Sequence, residues 1–203
     1  MDIRDKILST SLALFMKFGV KSITMDEIAK EVGVSKKTIY QNFADKSELV
    51  LEATKLTFLT DQCFFDTLIN ESENAIEEVF RIANHIREKV AMMNPSLLFD
   101  LKKFHVKAWE FYNQHKNECF EKSVIDNIKR GIHEGYYRKN INVKILSRLR
   151  MLQIESIFDQ EWFPPEDFNL VETQIAVFEH FIHGLVTEKG LTLYNQYLQN
   201  ENN

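Results

Sequence analysis

The chain of 203 residues is poor in the two residue types that interrupt helices, with three prolines and six glycines. A turn-rich β architecture needs many more of both, so this scarcity predicts long helices and an all-α fold. Cysteine is nearly missing as well. Cys63 and Cys119 stand far apart with no ligand-like spacing, which argues against a disulfide framework or a zinc module and predicts two ordinary thiols. No apolar run approaches the roughly 18 residues that a membrane span requires. The opening stretch MDIRDKILSTSLALF is amphipathic and carries Asp2 and Asp5, unlike a secretory signal. A cytoplasmic protein without a membrane partner is therefore expected. There is no glycine-rich phosphate loop, nucleophile elbow or carboxylate pair in an apolar pattern, so no catalytic residue can be named. His180 and His183 are three apart without a third ligand at matching spacing, and neither a metal nor a cofactor is expected.

Hydrophobic residues are ample at 44%, and sixteen of them are phenylalanine. The net charge of −5 argues at first against a nucleic-acid partner. Its distribution argues the other way. Residues 1–45 hold seven Lys/Arg against six Asp/Glu, while the rest of the chain holds eighteen against twenty-four. An acidic body repels phosphate and leaves the N-terminal stretch as the place of contact.

That stretch contains three helix starts of one design. Thr24, Ser35 and Asp45 are preferred N-cap residues, able to accept a hydrogen bond from an otherwise unpaired backbone N–H. Each is flanked by an apolar pair at staple spacing: Ile23 and Ile28, Val34 and Ile39, Ala44 and Leu49. Glu27 and Glu48 complete two reciprocal capping boxes. Gly33 stands where a helix ends in the left-handed conformation. Two short helices joined by such a turn predict a helix-turn-helix. A first helix over residues 3–18, with Ile7, Ser11, Leu14, Phe15 and Phe18 on one face, would complete a three-helix head over residues 1–47.

In the second helix of the pair, Ile39 and Phe43 face inward. Lys37, Thr38 and Gln41 project outward, flanked by Lys36, Tyr40 and Asn42. Ammonium, amide, hydroxyl and phenol groups of this kind suit phosphates and base edges in a major groove. A solvated helical hairpin inside an all-α protein has the same spacing. Phe15, Gly19, Thr24, Ile28, Ala29, Gly33, Val34, Ser35, Thr38, Tyr40, Phe43, Lys46 and Leu49 together resemble the N-terminal pattern of the TetR family of bacterial transcriptional regulators. Two positions depart from that pattern: Asn42 stands where many relatives carry His, and Ser11 where they carry Ala. The resemblance implies a homodimeric repressor that binds double-stranded DNA at two half-sites. It also implies a small-molecule effector bound in the body. Lys36, Lys37, Thr38 and Gln41 are the candidates for base edges. Thr24, Ser35, Tyr40, Asn42 and Lys46 are the candidates for backbone contacts, with Arg4 placed by resemblance at a phosphate.

Residues 48–203 read as a ligand-binding and dimerisation body. A fourth helix is expected from Lys46 to about Leu68, continuous from head into body. A soft break is expected near His105, and Gly135 should stop a long helix. Aromatic residues concentrate in the body, and Phe65, Phe80, Phe104, Trp109 and Tyr112 are candidate lining for a pocket, with His85, His115 and Cys119 as polar groups. Val171, Ile175, Phe178, Ile182 and Leu185 step by four and three, a heptad-like seam, and Leu149 and Ile157 are expected from its neighbour. Paired across a two-fold axis, two such seams make a four-helix bundle, the expected dimer interface. The tail QNENN is expected to fray. The rival reading from another class is a helical small-molecule carrier or enzyme whose head is purely structural.

Overall fold

The computed structural model describes residues 2–201. Eleven α-helices run through the described residues: α1 (Ile3–Phe18), α2 (Met25–Val32), α3 (Lys36–Asn42), α4 (Lys46–Glu71), α5 (Ala75–Ala91), α6 (Leu97–Phe104), α7 (Val106–His115), α8 (Glu121–His133), α9 (Val143–Ser156), α10 (Leu170–Leu185) and α11 (Glu188–Glu201). One π-helical turn, Lys116–Phe120, joins α7 to α8. Among the described residues the only β pairing is an isolated antiparallel bridge between Tyr137 and Val186. The last two residues of the QNENN tail lie outside the described residues, and the part that is described is helical.

The chain packs as two compact units. The first comprises the described residues through Gln62 together with Met92–His115; the second comprises Cys63–Ala91 and the residues from Lys116 onward. The expected boundary at residue 47 falls inside the first unit. Three short helices alone bury little surface. In the first unit, Ile7, Phe15, Ile28, Ile39, Phe43 and Leu49 therefore share one core with Val50 and Ala53 of α4, Leu97 and Leu101 of α6, and Ala108 of α7. Burying a side chain of this size contributes about 1.5–3 kcal/mol. The added helices thus supply a substantial part of what holds the head together.

The break at His105, expected to be soft, is complete. His105 sits outside helical geometry at φ −132° and ψ 62°, and its N–H caps the carbonyl of Leu101. In the second unit, Ala75, Ile76 and Phe80 of α5 pack with Ile128 of α8, with Phe178, Ile182 and Leu185 of α10, and with Tyr194 of α11. Gly131 allows Tyr137 to enter this core, because a Cβ there would fall 2.1 Å from the tyrosine ring. The Tyr137 hydroxyl donates within hydrogen-bond distance of both the Asn127 Oδ1 and the Ala75 carbonyl. Gly135, at φ +78°, follows the end of α8.

Candidate nucleic-acid interface

All three helix starts are capped as expected, but only the Thr24 box is reciprocal, because the Glu48 carboxylate accepts from the Ala44 N–H and not from that of Asp45. The Glu27 N–H donates to Thr24 Oγ1 at 3.2 Å, and the Thr24 N–H donates back to Glu27 Oε2 at 2.7 Å. That backbone donor, with the Thr24 hydroxyl, holds the Glu27 carboxyl below the usual carboxylate range. The Thr38 N–H donates to Ser35 Oγ, and the Glu48 N–H to Asp45 Oδ1. Gly33 lies at φ 79° and ψ 36°. The Val34 N–H reaches the Ala29 carbonyl and the Gly33 N–H the Lys30 carbonyl, a Schellman ending that redirects the chain into α3. Lys6 of α1 donates to the Val32 carbonyl, a further cap on the end of α2.

These bonds sort the candidate DNA contacts. The hydroxyls of Thr24, Ser35 and Thr38 are engaged in capping. The Asn42 side-chain amide donates to the Thr38 carbonyl at 2.8 Å. Lys36 pairs with Asp26 of α2 at 2.8 Å, and the Arg4 guanidinium lies 4.7 Å from the centre of the Phe43 ring. Lys37, Tyr40 and Gln41 are exposed and make no hydrogen bond to another described residue. They are the α3 side chains with their full polar capacity directed outward.

Lys46 is half-buried, and burial pushes its ammonium pKa down, against the opposing pull of the Asp100 and Glu27 carboxylates. His105 stands close by, with Nδ1 3.3 Å from the Ser47 hydroxyl. Burial, and then the Lys46 charge, hold the imidazole below its ordinary pKa. Sequence reading marks His105 only as the place of a helix break and does not pick out Asp100 at all. The signal of Asp100 is a polar side chain on the buried stripe of α6, legible only once the partner of that stripe is known.

The expected pocket residues fall in both units. In the first unit Trp109 stacks on Tyr112 with ring centres 5.7 Å apart, and His115 stacks on Phe111 at 3.9 Å. Phe104 is exposed there, with the Lys21 ammonium over its ring. In the second unit Phe65 meets His85 and Phe120 edge-on, and Phe64 stacks on His85. Cys119 is half-buried in the π-helical turn. Phe80 belongs to the core of that unit, where it stacks on Tyr197.

The expected seam also divides. Phe178, Ile182, Leu185 and Ile157 are buried within their own chain, so in this arrangement they have no face left for a second copy. Val171 is half-buried, whereas Leu149 and Ile175 are exposed. A heptad-like step marks the buried side of a helix without saying whether its own chain or a partner does the burying.

Comparison with known proteins agrees with the head. The family model described as bacterial regulatory proteins, tetR family, matches residues 7–53. An HTH-type transcriptional regulator of Bacillus subtilis, YvaF, is 25% identical over 186 residues, covering 91% of this chain and 96% of that protein. The HTH-type transcriptional repressor KstR2 of Mycobacterium tuberculosis is 22% identical over 171 residues, covering 80% of this chain and 82% of its own. In fold, a transcriptional regulator of Saccharomonospora viridis solved in complex with choline matches with a TM-score of 0.73 at 18% identity. That match covers 91% of this chain and 98% of the solved one. The head over residues 7–53 thus resembles the tetR family of bacterial regulatory proteins, and with its capped helix-turn-helix and helical body the chain is a DNA-binding transcriptional regulator.

Proposed function

We propose that the protein is a homodimeric repressor whose DNA affinity falls when a small molecule binds in the second unit. The observation that carries the DNA side is the trio Lys37, Tyr40 and Gln41, exposed and unengaged on a helix whose neighbours are fully capped. Lys37 and Gln41 are four apart and lie on one face, suited to the acceptors of guanine and to the paired donor and acceptor of adenine. Tyr40 suits a phosphate. Lys46, Arg4, Thr24, Ser35 and Asn42 would position the backbone through charge or through the N–H groups that their caps orient.

The dimer is read from α9 and α10. Ile145 is 62% exposed and Leu152 57%, with Leu149 and Ile175 also exposed. Large apolar side chains repeated along neighbouring helix faces are what a two-fold bundle interface covers. A repressor mode is supported by the name of KstR2, and a small-molecule effector by the choline held in the structurally similar regulator. Helix α4 runs unbroken from Lys46 to Glu71 and so belongs to both units. An effector that prefers one setting of α4 shifts DNA affinity only by its differential affinity for the two settings, and DNA weakens the effector by the same factor.

The test is binding of the protein to the DNA that flanks its own gene, followed by fluorescence anisotropy across a salt series. Saturable binding that weakens steeply with salt is expected. A protein that ignores this DNA, or binds it with no salt dependence, would instead be the carrier or enzyme of the rival reading.

A further inference from the structure

The second unit contains a buried cation without a counter-charge. Arg150 of α9 is 7% exposed, yet its guanidinium makes no hydrogen bond or ion pair with any described residue. It lies against the rings of Phe178 and Phe181 of α10, 5.3 and 5.2 Å from their centres. Acidic side chains of neighbouring segments are engaged elsewhere: Glu121 with Arg148, Glu155 with Lys116, and Glu179 with the Tyr194 hydroxyl. Burial alone, with no opposing carboxylate, pushes the Arg150 pKa down to about 10, so the side chain remains a cation near neutral pH.

Two further groups on the same facing surfaces have unfilled capacity. Gln153 stands one turn beyond Arg150 on α9, and Gln174 one turn before Phe178 on α10. The Oε1 atom of each is buried and accepts no hydrogen bond among the described residues. Two buried amide acceptors are costly to leave unmet, and the Arg150 fork on the same helix as Gln153 has no counter-charge. They match a ligand that brings an anionic headgroup to the fork, a donor to the amides and an apolar body to the phenyl rings.

We propose that Arg150 anchors the acidic headgroup, carboxylate or phosphate, of an amphipathic organic anion that acts as the effector. The inference rests on the effector reading above and names its chemical class. A second copy of the chain is the less suitable source of the charge. Arg150 is buried, while the exposed apolar residues Ile145 and Leu152 lie on the opposite side of α9, with Leu149 on the flank.

The test uses the full-length protein and thermal melting. The probes are octanoate and phenylacetate as carboxylates, octyl phosphate as a phosphate monoester, and octanol as a neutral control. A saturable rise in melting temperature is expected with at least one anion and not with octanol, and the responding member identifies the headgroup. Arg150→Met should melt no lower than wild type without probe, because it removes an unpaired buried charge. It should bind the responding anion about thirtyfold or more weakly, as expected for truncating one partner of a buried charge pair. Arg150→Lys should retain part of the response.

Indifference of the wild type to all three anions, or equal affinity in Arg150→Met, would overturn the proposal. If Arg150→Met fails to fold, Arg150→Lys and Gln174→Leu carry the comparison, and undiminished anion affinity in both has the same consequence. A wild type that binds DNA but ignores the anions removes this inference and leaves the regulator reading intact. One stabilised by an anion but indifferent to DNA does the reverse.

Discussion

The carboxylate of Asp100 accepts a hydrogen bond from the backbone N–H of Lys21 at 2.8 Å, joining positions 79 residues apart. Lys21 lies in the turn before α2, and Asp100 is buried on α6, so this bond ties α6 to the helix-turn-helix. The Asn94 N–H donates to the Met16 carbonyl of α1, a second tie from the segment before α6. The head is thus held by α6 as well as by α4 within the first unit.

Asp100→Ala leaves the Lys21 N–H without its charged acceptor. Such a loss costs about 1.5–3 kcal/mol, and urea denaturation should show it as a lower midpoint at unchanged slope. Asp100→Asn keeps an acceptor and should lose less. Equal losses from the two variants would mean that the charge, rather than the hydrogen bond, stabilises this junction.

On α3, Lys37→Ala should alter base preference, because the unengaged ammonium is the group placed to read an edge. Lys46→Ala should weaken all sequences about equally and flatten the salt slope by roughly one unit. Binding measured on an operator and on a scrambled duplex separates the two. The same loss of discrimination in both variants would contradict the assigned roles.

The two faces of the α9–α10 pair should respond differently to charge. Leu152→Asp places a carboxylate on the exposed face and should yield a folded monomer with greatly weakened DNA binding. Phe178→Asp buries an unpaired charge in the chain's own core and should cost several kcal/mol of stability. Light scattering and circular dichroism report on association and folding respectively. A monodisperse, DNA-binding dimer of Leu152→Asp would place the interface elsewhere.

The depressed pKa of His105 has a consequence for pH. In the unfolded chain the imidazole takes up its proton near its ordinary value of about 6.5, whereas in the folded state burial and Lys46 delay protonation to lower pH. The unfolded state therefore binds more protons between those two values, and stability is lost as pH falls through that window. His105→Gln should reduce this slope, measured as the urea midpoint between pH 7.5 and 5.5. A variant with the wild-type slope would show that another group governs the acid sensitivity of the first unit.

Residue order alone carried the local structure of the head. Thr24, Ser35, Asp45 and Gly33 act on backbone groups within a few positions of themselves, so their spacing wrote the helix starts, the turn and the outward face of Lys37 and Gln41. Helix existence elsewhere followed from periodicity for the same reason, although the π-helical turn at Lys116–Phe120 left no sign in it. What periodicity cannot report is which surface a helix buries against. The stripe through Phe178, Ile182 and Leu185 is the same string whether it meets its own chain or a second copy, and packing assigned it to its own chain. Contacts between distant positions were equally silent. Asp100 is one carboxylate among thirty acidic residues until α6 lies under Lys21, and Arg150 is an ordinary arginine until two phenyl rings enclose it. Burial and the pairing of remote polar groups are properties of the assembled surfaces, and tertiary structure alone decides them.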